Sequence, residues 1–170
     1  GWSIGSMKKI AKSSISNHQP DVVLLHLGSN NMHANDGLKS CAELQDLVTE
    51  ILNASTVDVI VLLATIIPMP AKAEVVAVYN DCLREYVKTL KNACGQLVEQ
   101  DEWVVEKEML TADNVHPSVA GEQWMANVWF KSLLAVLKEG DFLDKVVSIQ
   151  FTSDNAAPTG DLLDSWIDAP

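Results

Sequence analysis

The sequence has 170 residues, a formal net charge of −11 and 48% apolar residues. That is one domain's worth of chain with enough apolar side chains for a substantial core, and its acidity argues against nucleic acid as a partner and against a polybasic membrane anchor. The longest apolar run, VDVIVLLATIIP, falls short of the roughly 18 residues needed to cross a bilayer, so no transmembrane segment is expected.

The chain opens with GWSIG, which fits G-x-S-x-G, the nucleophile elbow, with Ser3 in the attacking place. An elbow needs a strand feeding into it, and although Ser3 does lead into a helix, that helix runs on to the strand ahead of Gly28-Ser29-Asn30-Asn31, so we read the match as accidental. Ile4, Met7, Ile10, Ala11 and Ile15 recur at helical spacing until Gln19-Pro20 breaks the pattern. DVVLLHL, Asp21 to Leu27, then reads as a parallel strand buried on both faces, with His26 a packed core histidine.

After the loop GSNNMHAND, one stripe of a second helix carries Cys41, Leu44, Leu47, Val48, Ile51 and Leu52. Asn53-Ala54-Ser55 is a glycosylation sequon. A second buried strand spans Val57 to Ile66 and is ended by Pro68 and Pro70. The third helix presents Val75, Tyr79, Cys82, Leu83, Tyr86 and Leu90 on one face, with Gly95 as its C-terminal cap.

A weaker strand from Gln96 to Val105 precedes the loop EKEMLTADNVH, and Pro117 opens a long amphipathic helix to about Lys138. Its inward positions are Trp124, Met125, Val128, Leu133, Leu134 and Leu137. From Glu139 the pattern changes: KVVSIQF fits one extra strand and the rest is acidic and turn-rich. The expected division is a domain over 1–138 and an acidic extension over 139–170. Alternating strands and helices predict an α/β fold with a parallel sheet and right-handed crossovers.

Three cysteines, Cys41, Cys82 and Cys94, without a C-x-x-C pair argue against a metal site and a dense disulfide framework. One bridge and a free thiol remain open. In an open parallel sheet ligands bind beyond the carboxyl ends of the strands, which singles out two loops. In Gly28-Ser29-Asn30-Asn31 the glycine permits a tight turn and an Asn amide can donate to an oxyanion, or can cap the next helix. In Asp113-Asn114-Val115-His116-Pro117 the carboxylate can orient the imidazole through one nitrogen and leave the other as a general base. His18 and His33 read as loop surface, Trp124 and Trp129 as helix-face residues, and Glu102, Glu106 and Glu108 as a solvated edge.

Taken together, PDVVLLHLGSNNM and ADNVHPSVAGEQWMA resemble two blocks of the SGNH (GDSL-type) hydrolases, G-x-N-D and D-x-x-H. The resemblance covers roughly Gly1 to Leu137. The opening GW-S-I, QPDVV, LLATIIP and VYNDCLREYV look most like the acetylxylan-esterase-like branch. It implies a three-layer α/β/α, flavodoxin-like domain that hydrolyses an ester, such as a carbohydrate O-acetyl group, without metal or organic cofactor. It also implies an extracellular setting. Asn30 would be an oxyanion donor on the Gly28 loop, His116 the base and Asp113 its orienter.

Two departures stand out. Asn31 takes the place of the family's Asp, and no G-D-S block with the nucleophilic serine occurs in the 170 residues. The first two strands of the family's five-stranded sheet are therefore expected to be missing here. Three explanations for the absent serine stay open. A complementing N-terminal fragment or partner could dock at the open sheet edge, or Ser153 after KVVSIQF could substitute. In the third case the chain is an inactive binding or structural subunit of a larger assembly.

Overall fold

A computed structural model of the chain describes residues 2–34, 36–90, 95–102 and 109–139. KVVSIQF, Ser153 and the rest of the acidic extension, together with Cys94, Glu106 and Glu108, lie outside the described residues. Helices and strands alternate as α1 (Ile4–His18), β1 (Val22–Leu25), α2 (Gly37–Ala54), β2 (Ile60–Ala64), α3 (Ala73–Thr89), β3 (Gly95–Val98) and α4 (Val119–Glu139). The strands are parallel in the order β1-β2-β3, with Leu24 opposite Leu62 and Leu62 opposite Gln96. Helices lie on both sides of the sheet, as the alternation of elements predicts.

Local chemistry sets the ends of the helices. Ser3 caps α1 by accepting from the Ser6 amide at 3.2 Å, which is the part its hydroxyl plays. At the other end Gln19 turns left-handed at φ 44° and returns its amide to the Ile15 carbonyl. The Gln19 side-chain oxygen accepts from the Thr56 amide and hydroxyl at 2.7 and 2.8 Å, tying the end of α1 to the approach to β2. Asp36 caps α2 through the Lys39 amide at 2.9 Å.

The core forms where one face of the sheet meets the apolar stripes of three helices. Leu25, Val61 and Leu63 pack with Ile4, Ala11 and Ile15 of α1, with Leu44, Leu47, Val48 and Ile51 of α2, and with Tyr79 and Leu83 of α3. Each fully buried leucine contributes about 2 kcal/mol. Because side chains alternate along a strand, Leu62, Ala64 and Val98 are buried on the opposite face. A disulfide between Cys41 and Cys82 joins α2 to α3, so the bridge left open by the cysteine count links these two helices.

Several expectations are corrected. β1 is not buried on both faces: Leu24 is 51% exposed, because β1 is the outer strand of the described sheet and has no neighbour on its far side. Ile10 is exposed, on the outer flank of the α1 stripe. β2 begins at Ile60 rather than Val57, which is exposed ahead of the first ladder pairing at Val22. Gly95 does not cap α3; that helix ends at Thr89 with Leu90 as its cap, and Gly95 opens β3 beside Val61. Pro117 does not open α4. It is held in an antiparallel bridge with Leu110, and Ser118 caps the helix through the Gly121 amide at 3.2 Å.

Two compact units divide after Val128. The first contains the sheet, α1 to α3 and the start of α4. The described part of the second is the remainder of α4, in which Leu133, Leu134 and Leu137 are half-buried and Val136 is buried.

Candidate active site

At the end of β1 the chain must turn sharply over α3, and glycine is required there. Gly28 has φ 128°, and a Cβ on it would lie 2.7 Å from the Tyr79 ring. Tyr79 is fully buried on α3 and donates its hydroxyl to the Leu27 carbonyl at 2.7 Å. Burial pushes its phenol well above the ordinary range, so it remains a donor. The turn continues as a 3-10 stretch from Ser29 to Ala34.

The two asparagines in that turn do different things. Asn30 donates from its amide to the Trp2 carbonyl at 3.0 Å, which fixes which end of the amide faces that way and leaves a second N–H. Asn31 accepts from the Ile4 amide at 3.0 Å and donates to Glu43 at 3.1 Å, stitching the start of α1 to α2. A carboxylate at position 31 could make the first bond but would face the charge of Glu43. The amide converts that repulsion into a hydrogen bond, which accounts for Asn at a place where the resembling family has Asp.

The second loop builds itself around one carboxylate. Asn114 adopts φ 55°, which asparagine tolerates, and this folds the backbone so that Asp113 Oδ1 accepts from the amides of Val115 and His116 at 2.8 and 3.0 Å. The Thr111 hydroxyl adds a third donor at 2.7 Å. Asp113 Oδ2 then meets His116 Nδ1 at 2.7 Å. The His116 ring, the amides and Thr111 together hold the Asp113 carboxyl well below the usual carboxylate range. His116 is 73% exposed at its side chain, and its Nε2 has no partner among the described residues. A carboxylate holding Nδ1–H leaves Nε2 as the proton acceptor, the arrangement of an oriented general base.

A polar cluster at the ends of β2 and β3 was not anticipated from the sequence. Asn80 is buried on α3, accepts from the Ile66 amide at 3.0 Å and donates to its carbonyl at 2.9 Å and to Asp101 at 2.9 Å. Thr65 donates to Asp101 at 2.8 Å and accepts from the Gln100 amide at 2.8 Å, while Arg84 bridges Glu99 and Asp101 at 2.8 and 2.7 Å. Burial alone would raise the Asp101 carboxyl, but the bonds from Arg84, Thr65 and Asn80 outweigh it and the net direction is down. The cluster pins the chain as it leaves β3 on its way to the Asp113 loop. Its only trace in the sequence is Asn80 and Arg84 four apart on one helix face, with no hint of the partners.

The structure thus brings Asp113 and His116 together, with Thr111 as an unforeseen third member. Asn30 and Gly28 stand at the carboxyl end of β1, and no hydrogen bond among the described residues joins Asn30 to His116 or Asp113. His26 is half-buried with a buried, unpartnered Nε2. His18 is exposed at the end of α1 and Glu102 is exposed; Trp124 and Trp129 lie half-buried on α4, and nothing is described of the His33 side chain. No group of three metal-ligating side chains occurs among the described residues, and none of the described helices is long and apolar enough to cross a membrane.

Comparison with known proteins adds independent findings. The model of the GDSL-like lipase/acylhydrolase family matches residues 6–124. Among solved structures, a carbohydrate esterase family 3 protein from Talaromyces cellulolyticus is similar with a TM-score of 0.72 at 19% identity, over 81% of this chain and 69% of that one. A family 3 carbohydrate esterase from Clostridium thermocellum gives 0.68 at 24% identity, over 81% and 68%. TesA gives 0.67 at 17% identity, over 81% and 75%. At these identities the likeness is one of fold. No curated protein matches significantly.

Proposed function

The chain belongs to the GDSL-like lipase/acylhydrolase family, and on that premise we propose that it carries the oxyanion loop and the base of a serine ester hydrolase acting on O-acetyl groups of carbohydrates. The observation that carries this reading is the 2.7 Å contact between His116 Nδ1 and Asp113, with Nε2 left unpartnered. In the proposed reaction a serine hydroxyl gives its proton to His116 Nε2 as it attacks the ester carbonyl. The tetrahedral oxyanion takes the second N–H of Asn30 and backbone amides of the Gly28 turn. His116 then returns the proton to the departing sugar oxygen. Asp113 holds the ring and balances the imidazolium.

The serine would come from a strand pairing with the edge of β1 that is unpaired among the described residues, where Leu24 is exposed. The acetylated sugar is supported by the likeness to family 3 carbohydrate esterases and to an acetyl esterase studied as a mutant with acetate ion. One observation favours a second reading, a non-catalytic binding or structural subunit: no serine hydroxyl bonds His116 Nε2 among the described residues.

The test is hydrolysis of p-nitrophenyl acetate and of acetylated xylan by the natural protein, whose mass and N-terminus are determined alongside. We expect His116→Ala to abolish turnover and Asn30→Ala to lower it about 10²–10³-fold. Unchanged turnover in the His116 variant overturns the assignment, and hydrolysis at the background rate by the natural protein selects the second reading.

A further inference from the structure

The disulfide between Cys41 and Cys82 joins two helices through a pair in which Cys41 is fully buried, and such bonds form and persist in oxidising compartments. The same helix that carries Cys41 ends in Asn53-Ala54-Ser55, the only Asn-x-Ser/Thr triplet in the sequence. Asn53 lies in the last turn of α2, faces away from the buried Ile51, is exposed, and makes no side-chain hydrogen bond among the described residues. The backbone around it is fixed without its help. The Ala54 carbonyl accepts from Ser16 Oγ and Gln19 Nε2, and the Ser55 hydroxyl donates to the Val57 carbonyl at 2.8 Å. Thr56, Val57 and Asp58, which follow, are exposed as well, so a bulky group on Asn53 displaces no packed side chain.

We propose that Asn53 is an N-glycosylation site. The donor class is an oligosaccharide linked to a polyprenyl pyrophosphate. A bond forms between Asn53 Nδ2 and the anomeric carbon of the first sugar, the bond from that carbon to the pyrophosphate oxygen breaks, and the amide loses one proton as the polyprenyl pyrophosphate leaves. The folded position suits the product. Asn53 stands just ahead of β2, at the edge of the sheet where the parallel strands begin, and the Ile60 amide there bonds the Asp21 carbonyl at 2.9 Å. The Gly28 turn lies beyond the other end of β1, a strand of four residues that is itself about 13 Å long at roughly 3.3 Å per residue. The glycan therefore occupies the edge opposite that turn.

The full chain, placed behind a cleavable secretory signal and translated with endoplasmic-reticulum microsomes under oxidising conditions, tests the assignment. The protease-protected product is expected to migrate more slowly and to collapse to a single faster band with peptide-N-glycosidase F. Asn53→Gln and Ser55→Ala should remove the slow band, and Ser55→Thr should retain it. A protected wild-type chain without the slow band overturns the proposal, as does a slow band that survives in Asn53→Gln. Ester hydrolysis plays no part in this readout, so its outcome is independent of the function proposed above.

Discussion

Gly28 and Tyr79 constrain each other across the fold: the ring lies where a Cβ would go, and the hydroxyl reaches past it to the Leu27 carbonyl. Gly28→Ala meets both a steric overlap and a backbone angle that L-residues avoid, so it should destabilise the fold by more than about 1 kcal/mol. Tyr79→Phe removes only the hydrogen bond and should cost roughly 1 kcal/mol. Urea unfolding of the two variants checks the order, and a Gly28 variant as stable as wild type would show that the turn is not held as described. His26 makes a different prediction. Burial lowers its pKa, and its Nε2 has no partner among the described residues. Below about pH 6.5 the unfolded chain binds a proton that the folded chain resists, so this residue makes stability fall as pH drops. His26→Phe should flatten the loss of thermal stability between about pH 7.5 and about pH 5.5. Melts that fall equally in both proteins would assign the dependence elsewhere.

At the scale of elements, the amphipathic helices α2 and α3 are the most legible parts of the sequence. Their apolar positions repeat over three turns or more, and Leu44, Val48, Ile51, Tyr79 and Leu83 are all buried. The strand ends are less so, because apolar residues continue past the last ladder pairing, and only the register with β1 decides that Val57 is outside and Ile60 inside. Gly95 could equally have capped a helix or started a strand. The approach of Asp113 to His116 is legible as a three-residue spacing in one loop. The Thr65, Asn80, Arg84 and Asp101 cluster is not, because its members come from three separate segments. The Cys41–Cys82 pairing also depends on how α2 and α3 meet. Its sequence separation of 41 residues gives a loop-closure contribution of about 4 kcal/mol in the chain-entropy account. Replacing both cysteines by alanine should lower stability by up to about that amount, and reducing agent should lower the wild type but leave the double variant unchanged. A double variant that melts with wild type would remove the bond from the native state.

For the molecule as a whole, the outer edge of β1 is where the described sheet can be extended. Among the described residues the strand pairs only on the β2 side, and Leu24 is 51% exposed although its register partner Leu62 is buried. An apolar strand with a free ladder is a template for another chain. If a serine-bearing strand is what completes the sheet, the 170-residue chain made without it should self-associate through this edge. Leu24→Lys places a charge in that contact and should weaken association at least about tenfold, equivalent to roughly 1.4 kcal/mol. Because about half of Leu24 is already exposed within the chain, the same substitution should lower the melting temperature of the dilute protein only slightly. Sedimentation velocity across a concentration series reads the first effect, and thermal unfolding at low concentration reads the second. A chain that stays monomeric and loses several degrees on substitution, as roughly 1–2 kcal/mol would produce, would mean that Leu24 is already covered by residues of its own chain. The sheet would then need no strand from elsewhere, which leaves a nucleophile within the 170 residues or the non-catalytic reading.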